Sequence, residues 1–260
     1  MKITVFTGNQ PRHLNLVNKL SKIASVVYSI QECVTVFPGQ VGDLYKKTKV
    51  MQDYFKNVIS AEKLLFGNIC FLGNNIKTLS IKSGDVSKLD KSQLEDSLNS
   101  DIYVVFGASY IKGWLADFLL SKGAFNIHMG LSPYYRGSSC NFWALYDMNP
   151  SYVGATIHRL SLGIDDGAIL FHCLPKYLKN ETSFDFTMKS VKTSHDAICS
   201  RIKDKSIFNM TEQKQNKKLE IRYSRNKDFD DIVATEFLKK QAQINFSKLK
   251  YPLLKDPYFG

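Results

Sequence analysis

The sequence predicts an α/β fold: a Rossmann-like, mostly parallel sheet flanked by helices, with a short C-terminal extension. Two observations carry this. The chain opens on a short apolar run, Ile3 to Phe6, then a polar loop with Gly8, then Leu14, Val17, Leu20 and Ile23 at helical spacing. Strand, Gly-bearing loop and helix in that order open a doubly wound sheet. Later, Ile102-Tyr103-Val104-Val105-Phe106 is a continuous apolar run that stops at Gly107, as expected of a strand buried on both faces.

The other elements follow in order. The first loop, Thr7 to His13, is not G-x-G-x-x-G and gives no support for a dinucleotide. Free backbone N–H groups at its helix start can hold a phosphate, with Asn9 and Arg12 as the candidate contacts, or can simply be capped. Ala24 to Ile30 reads as a second strand. Asp43 to Phe66 reads as a helix with Leu44, Val50, Tyr54, Val58 and Leu65 inward, and Thr78 to Ile81 as a short strand. Lys82 to Ser100 is polar, with a short helix suggested by Leu89, Leu94 and Leu98. After the strand at Asp101 to Phe106, Trp114 to Leu120 is a helix. Phe125 to Met129 alternates like a strand, and Gly130 to Gly137 cannot continue it, because Pro133 lacks an N–H and the glycines mark turns. Asn141 to Asp147 is a helix, Val153 to Leu160 a strand, Gly163 to Gly167 an acidic turn, and Ala168 to Tyr177 a strand. Ser183 to Ile202 is a helix. A basic stretch, Lys214 to Lys227, precedes a helix that runs from Asp228 to about Ala242, its acidic first turn suiting the helix dipole. The domain reading is a core over 1–203 and an extension over 204–260 whose apolar tail (Phe246, Leu249, Tyr251, Leu253, Leu254) packs on its own core or forms a subunit interface.

Composition narrows the class. Of 260 residues, 44% are hydrophobic and 23% charged, ordinary for a soluble globular protein with a substantial core. The first apolar run is too short for a signal peptide, and no run approaches bilayer-spanning length. The five cysteines are scattered without a C-x-x-C, which reads as reduced thiols in a cytoplasmic protein. The formal charge of +11 fits RNA, an anionic surface or a phosphorylated substrate, but much of it is lysine spread along the chain, so a solvated face is its default explanation.

The chemistry converges on 125–170. If 125–129 is a strand, Asn126 and His128 share one face. The acidic turn then offers a carboxylate. A His moves protons near neutral pH, an amide N–H stabilises an oxyanion, and a carboxylate orients an imidazole and favours its charged form. That set suits acyl-type transfer. No Ser or Cys sits in a nucleophile elbow, so attack by the substrate's own nucleophile is expected, without a covalent enzyme intermediate. Caps and turns also account for isolated Asn, His and Asp residues near strand ends. His158 and His172 lie in strands without the spaced partners a metal needs, so no metal is expected.

Asn126-Ile127-His128, then Leu131-Ser132-Pro133-Tyr134-Tyr135-Arg136-Gly137, then Gly163-Ile164-Asp165-Asp166-Gly167 resembles the core of the folate-dependent formyltransferases. The resemblance is firm over about 100–175 and weak after 200. It implies a formyl transfer from 10-formyltetrahydrofolate, with Asn126, His128 and Asp165 catalytic. It places the folate against Gly107, Ala108, Ser109, Tyr110 and Ile111 and against Asp166 and Gly167. The loop Ser132, Pro133, Tyr134, Tyr135, Arg136 and Gly137 falls on the substrate side, the tyrosines offering flat faces and Arg136 a fork for a phosphate or for a structural carboxylate. Within the family the loop is most similar to the nucleotide-sugar N-formyltransferases. That implies a nucleotide-linked amino sugar, with GDP-perosamine or another 4-amino-4,6-dideoxy sugar as the first choice, a role in O-antigen synthesis, and a homodimer. A tRNA substrate is disfavoured, and the competing class is a non-catalytic RNA- or nucleotide-binding protein on the same fold.

Overall fold

The computed structural model describes residues 1–34 and 41–260. In chain order the elements are β1 (Lys2–Gly8), α1 (Pro11–Ser21), β2 (Val26–Cys33), α2 (Lys49–Phe66), β3 (Ile76–Lys82), α3 (Lys91–Leu94), β4 (Ile102–Phe106) and α4 (Trp114–Ser121). They continue with β5 (Phe125–His128), β6 (Tyr135–Gly137), α5 (Cys140–Tyr146), β7 (Ala155–Arg159), β8 (Ile169–Leu174), α6 (Ser183–Lys203), β9 (Arg222–Ser224), α7 (Asp231–Lys240) and β10 (Tyr258–Phe259). The main sheet has the order β10-β8-β7-β5-β4-β1-β2-β3, and β6 and β9 form a separate parallel pair. Pairing is parallel from β3 across to β5, antiparallel at β5–β7 and β7–β8, and parallel again at β8–β10. This is the α/β, Rossmann-like fold that the sequence predicts, with helices on both faces.

Strand periodicity builds two cores. On β4, Ile102, Val104 and Phe106 join one cluster with Leu16, Val17 and Leu20 of α1, while Tyr103 and Val105 join the other with Leu115 and Leu119 of α4. α1 starts sharply because Pro11 occupies its first turn and His13 Nδ1 accepts the Gln10 N–H at 3.3 Å.

Several boundaries differ from the sequence reading, and three have a local cause. β2 runs on to Cys33, because the polar residues Gln31 and Glu32 pair with Thr7 and Gly8 of β1. α2 begins at Lys49, where the Thr48 hydroxyl caps the Met51 N–H, and its fully buried positions are Tyr54, Ala61 and Glu62. Between Lys82 and Ser100 the chain makes tight turns around the single helical turn of α3.

The extension is built into the molecule. Phe246 stacks on Tyr177 with centroids 4.9 Å apart, Leu249, Tyr251 and Leu254 pack on the main core, and β10 adds to β8. Leu253 alone of the tail's apolar set stays outward. All five cysteines are free, and Cys70 is exposed. Among the described residues no helix is long and apolar enough to cross a membrane.

Candidate active site

The sheet reverses direction at the site. β5 runs parallel to β4 but antiparallel to β7, with Asn126 opposite His158 and His128 opposite Thr156. Asn126 and His128, two residues apart, face the turn that follows β7. There Asp165 adopts a left-handed conformation, φ +51°. Its Oδ2 lies 3.2 Å from His128 Nδ1, and its Oδ1 accepts from Asn126 Nδ2 at 3.4 Å. The structure therefore brings the three predicted catalytic side chains together.

His158 is a fourth member that the sequence reading dismissed. It was weighed only as a metal ligand. Its Nδ1–H donates to the Arg159 carbonyl at 2.7 Å, which leaves Nε2 to accept from Asn126 Nδ2 at 2.9 Å. His158 thus fixes which way the Asn126 amide points. The usable signal was its place opposite Asn126 on the neighbouring strand, which needs the strand pairing to be known.

The electrostatics favour an ion pair. Burial disfavours a charged His128, but the Asp165 carboxylate beside it, helped by Cys140, outweighs this and holds the imidazole well above 6.5. Burial likewise acts against ionised Asp165, and His128 overcomes it, holding the carboxyl far below its ordinary range. The remaining His128 nitrogen, Nε2, donates to the Tyr135 carbonyl at 3.2 Å.

Asp166 faces away. Its Oδ1 accepts from Ser161 and its Oδ2 pairs with Lys217 at 3.5 Å. A Cβ at Gly163 would lie 2.2 Å from that carboxylate, and one at Gly167 would lie 1.8 Å from the Arg159 carbonyl oxygen, so both glycines are needed to fold the turn. Asp166 and Gly167, expected on the folate side, support the turn from behind and do not line the cleft.

A cleft of about 220 Å³ opens beside Asn126, His158 and Asp165, between Ala108–Ile111 on one side and Leu160–Asp165 on the other. Four of the five expected cofactor residues, Ala108, Ser109, Tyr110 and Ile111, line it. Gly107, φ +67°, sits behind it against the His13 ring. The Tyr110 hydroxyl donates to the Leu162 carbonyl at 2.6 Å across the mouth. The loop is pinned by Glu32 at the end of β2, whose carboxylate accepts the backbone N–H of Ser109, Gly84 and Val86. Apolar walls from Val105, Ile111 and Leu160, with backbone groups along the rims, suit a flat heterocycle with polar edges.

The substrate loop is a correction. Tyr134 and Tyr135 are buried, their hydroxyls bonded to the Leu253 carbonyl and to Asp147 and Asn149. They offer no flat face to a ligand, because Leu253 of the extension holds Tyr134 and Asp147 and Asn149 hold Tyr135. Ser132 and Arg136 are also buried. Of the two readings of Arg136, the structure gives the carboxylate: Nη1 pairs with Glu220 at 2.9 Å, and Nη2 donates to the Ile164 carbonyl at 2.8 Å. A Cβ on Gly137 would lie 2.0 Å from the Ser224 carbonyl oxygen, where β6 meets β9. Pro133 carries the turn between Ser132, whose N–H donates to Thr156 Oγ1, and Tyr134.

The residues near the first loop split. Asn9 bonds reciprocally with the backbone of Val34 and is committed there. Arg12 lines a second cavity of about 440 Å³ together with Gln10, Met129, Asn141, Phe142, Phe184 and Met188. Its guanidinium is paired with buried Glu62 at 2.8 Å. Among the described residues no cluster of His, Cys, Asp and Glu has a metal-holding arrangement.

Residues 1–202 match the profile of the family described as formyl transferase. The methionyl-tRNA formyltransferase of Borreliella burgdorferi strain ZS7 is 34% identical over 148 residues, 56% of this chain. The chain covers only 39% of that relative's length. A 4-N formyltransferase from Francisella tularensis shares the fold with a TM-score of 0.54 at 20% identity, over 99% of this chain and 91% of that one. So does an N-formyltransferase from Helicobacter canadensis, solved with folinic acid and dTDP-3-aminofucose, with a TM-score of 0.52 at 14% identity, over 91% of this chain and 78% of that one.

Proposed function

The chain belongs to the formyl transferase family, and from that premise we propose that it transfers a formyl group from 10-formyltetrahydrofolate to the amino group of a nucleotide-linked amino sugar. The observation that carries this is the convergence of Asn126, His128 and Asp165, with Asn126 and Asp165 lining one cleft and His128 directly behind Asp165. The folate occupies the Ala108–Asp165 cleft, and 10-formyltetrahydrofolate, when bound, supplies the formyl carbon there. The amine enters from the side of Met129 and the larger cavity. Asn126 keeps its bond to His158 and turns its second N–H, engaged only at 3.4 Å by Asp165, toward the oxyanion that grows on the formyl oxygen. His128, which Asp165 holds in place and favours in its protonated form, gives the proton on Nε2 to the departing nitrogen and then takes the amine's proton, Nε2 leaving the Tyr135 carbonyl to do so. No covalent enzyme intermediate is needed.

GDP-perosamine or another 4-amino-4,6-dideoxy sugar is the preferred substrate, with surface polysaccharide as the destination and a cytoplasmic homodimer as the working form. The likeness of the loop Leu131–Gly137 to sugar N-formyltransferases supports it. A second reading, an aminoacyl-tRNA substrate, is favoured by the 34% identity to a methionyl-tRNA formyltransferase. The test is formyl transfer from 10-formyltetrahydrofolate to a panel of GDP-, dTDP- and UDP-linked amino sugars, with methionyl-tRNA in the same panel. Turnover of one nucleotide sugar is expected. Turnover of methionyl-tRNA alone selects the second reading, and no turnover at all overturns the enzyme assignment.

A further inference from the structure

The segment 213–224 lies beyond the residues that match the family, yet it crosses the acidic turn. It is attached to β8 by a two-way backbone bridge between Gln213 and Ile169, at 2.8 and 2.9 Å. Of residues 211–220, only Gln215 is buried. Its amide nitrogen donates to the carbonyls of both Asp165 and Gly167, at 2.8 and 2.9 Å. Glu220 then grips Arg136, and Arg136 donates to the Ile164 carbonyl. Side chains from two distant segments therefore hold the carbonyls of Ile164, Asp165 and Gly167.

That grip acts on a strained residue. Asp165 sits at φ +51°, a conformation that costs a non-glycine residue about 1 kcal/mol or more. Such a conformation persists when its surroundings over-determine it. It is also the conformation that aims the carboxylate at His128, 3.2 Å away. The two N–H groups of a glutamine amide match the two carbonyls, and a carboxylate or thioether of the same size would not.

We propose that Gln215 and the Arg136–Glu220 pair are positioning residues that hold Asp165 in its left-handed conformation and so keep its carboxylate on His128. The inference rests on the proposed function only for its kinetic arm.

The experiment is an NMR titration of the full-length protein with labelled histidine, alongside thermal melting. His128 is faced by Asp165 at 3.2 Å, by Cys140 and, across 6.4 Å, by the His158 ring, so its titration reports on Asp165. Gln215→Met keeps the length and removes both donors. Its His128 midpoint is expected to fall by about one pH unit or more, toward the ordinary value. With whichever nucleotide sugar the wild type accepts, kcat is expected to fall about 10-fold with both KM values unchanged. Lys218→Ala, on the same segment but exposed, should change neither. A folded Gln215→Met with an unmoved His128 midpoint overturns the inference. If that variant does not fold, Glu220→Gln decides by the same readout: a lowered midpoint supports the inference and an unmoved one overturns it. A lowered midpoint in a protein whose wild type transfers no formyl group would sink the function and leave the positioning role standing.

Discussion

Glu32 makes the strongest case for a residue that acts at a distance on the cleft. One carboxylate oxygen accepts the N–H of Gly84 at 2.8 Å and of Val86 at 3.3 Å, and the other accepts the N–H of Ser109. Glutamine has the same shape but only one acceptor oxygen. In Glu32→Gln the amide nitrogen must face either Ser109 or the Gly84–Val86 pair, donor against donor, at a side chain only 4% exposed. A hydrogen bond to a charged group is worth about 1.5–3 kcal/mol, and stranding the buried partner adds to the loss. The loop can recover part of this by moving away, and that part then appears as weaker ligand binding. Urea denaturation and calorimetric titration with folinic acid measure the two shares. The losses are expected to sum to about 2–3 kcal/mol, and if half falls on binding, affinity drops about 10-fold. Both quantities within about 0.5 kcal/mol of wild type would refute the clamp, because no geometry lets glutamine satisfy all three donors.

Two further outcomes are expected. Asn126→Ala and His128→Ala should remain folded and lose about 10²–10³ in turnover, and Asp165→Asn should be worse than Asp166→Asn in the same steady-state assay; the reverse order would place the wrong carboxylate on His128. Stability should fall on acidification below pH 6.5, because burial holds His13, His172 and His195 neutral, His195 down to about 3, while the unfolded chain protonates them. The His128–Asp165 pair does not mask this: the raised His128 contributes fully below 6.5, and the lowered Asp165 loses its contribution only below 3.8. His195, neutral down to about 3, costs up to about 1.4 kcal/mol of stability per pH unit below 6.5, so urea midpoints of His195→Phe between pH 6.5 and 5 should decline less steeply than those of wild type, and an equal slope would contradict the burial argument.

What could be read from the sequence follows from how local each cause is. The strands at Ile3–Phe6 and Ile102–Phe106 announce themselves because burial on both faces demands a nearly continuous apolar run, broken in the first only by Thr4. Asn126 and His128 were legible as a pair because two-residue spacing fixes a shared face. Gln31 and Glu32 were missed as strand because they are polar, and only pairing with β1 keeps them extended. Tyr134, Tyr135 and Arg136 were expected to face a ligand because nothing nearby in sequence covers them; their cover, Asp147, Glu220 and Leu253, lies 12 to 119 residues away. His158 and Gln215 carry no motif. Each matters only through a partner set by tertiary structure, and composition has no term for that.

The segment 213–224 also bears on where this molecule can be cut and joined. Sequence likeness places a seam after residue 202, but hydrogen bonds cross it at Asp165, Gly167, Arg136 and Gly137. A chimera that grafts 1–202 onto a foreign C-terminal segment inherits Asn126, His128 and Asp165 without the Gln215 and Glu220 contacts around them. Recombination among relatives would then be productive only where the incoming segment brings its own amide donor and its own carboxylate. The unit that can be exchanged is 1–202 together with 213–224.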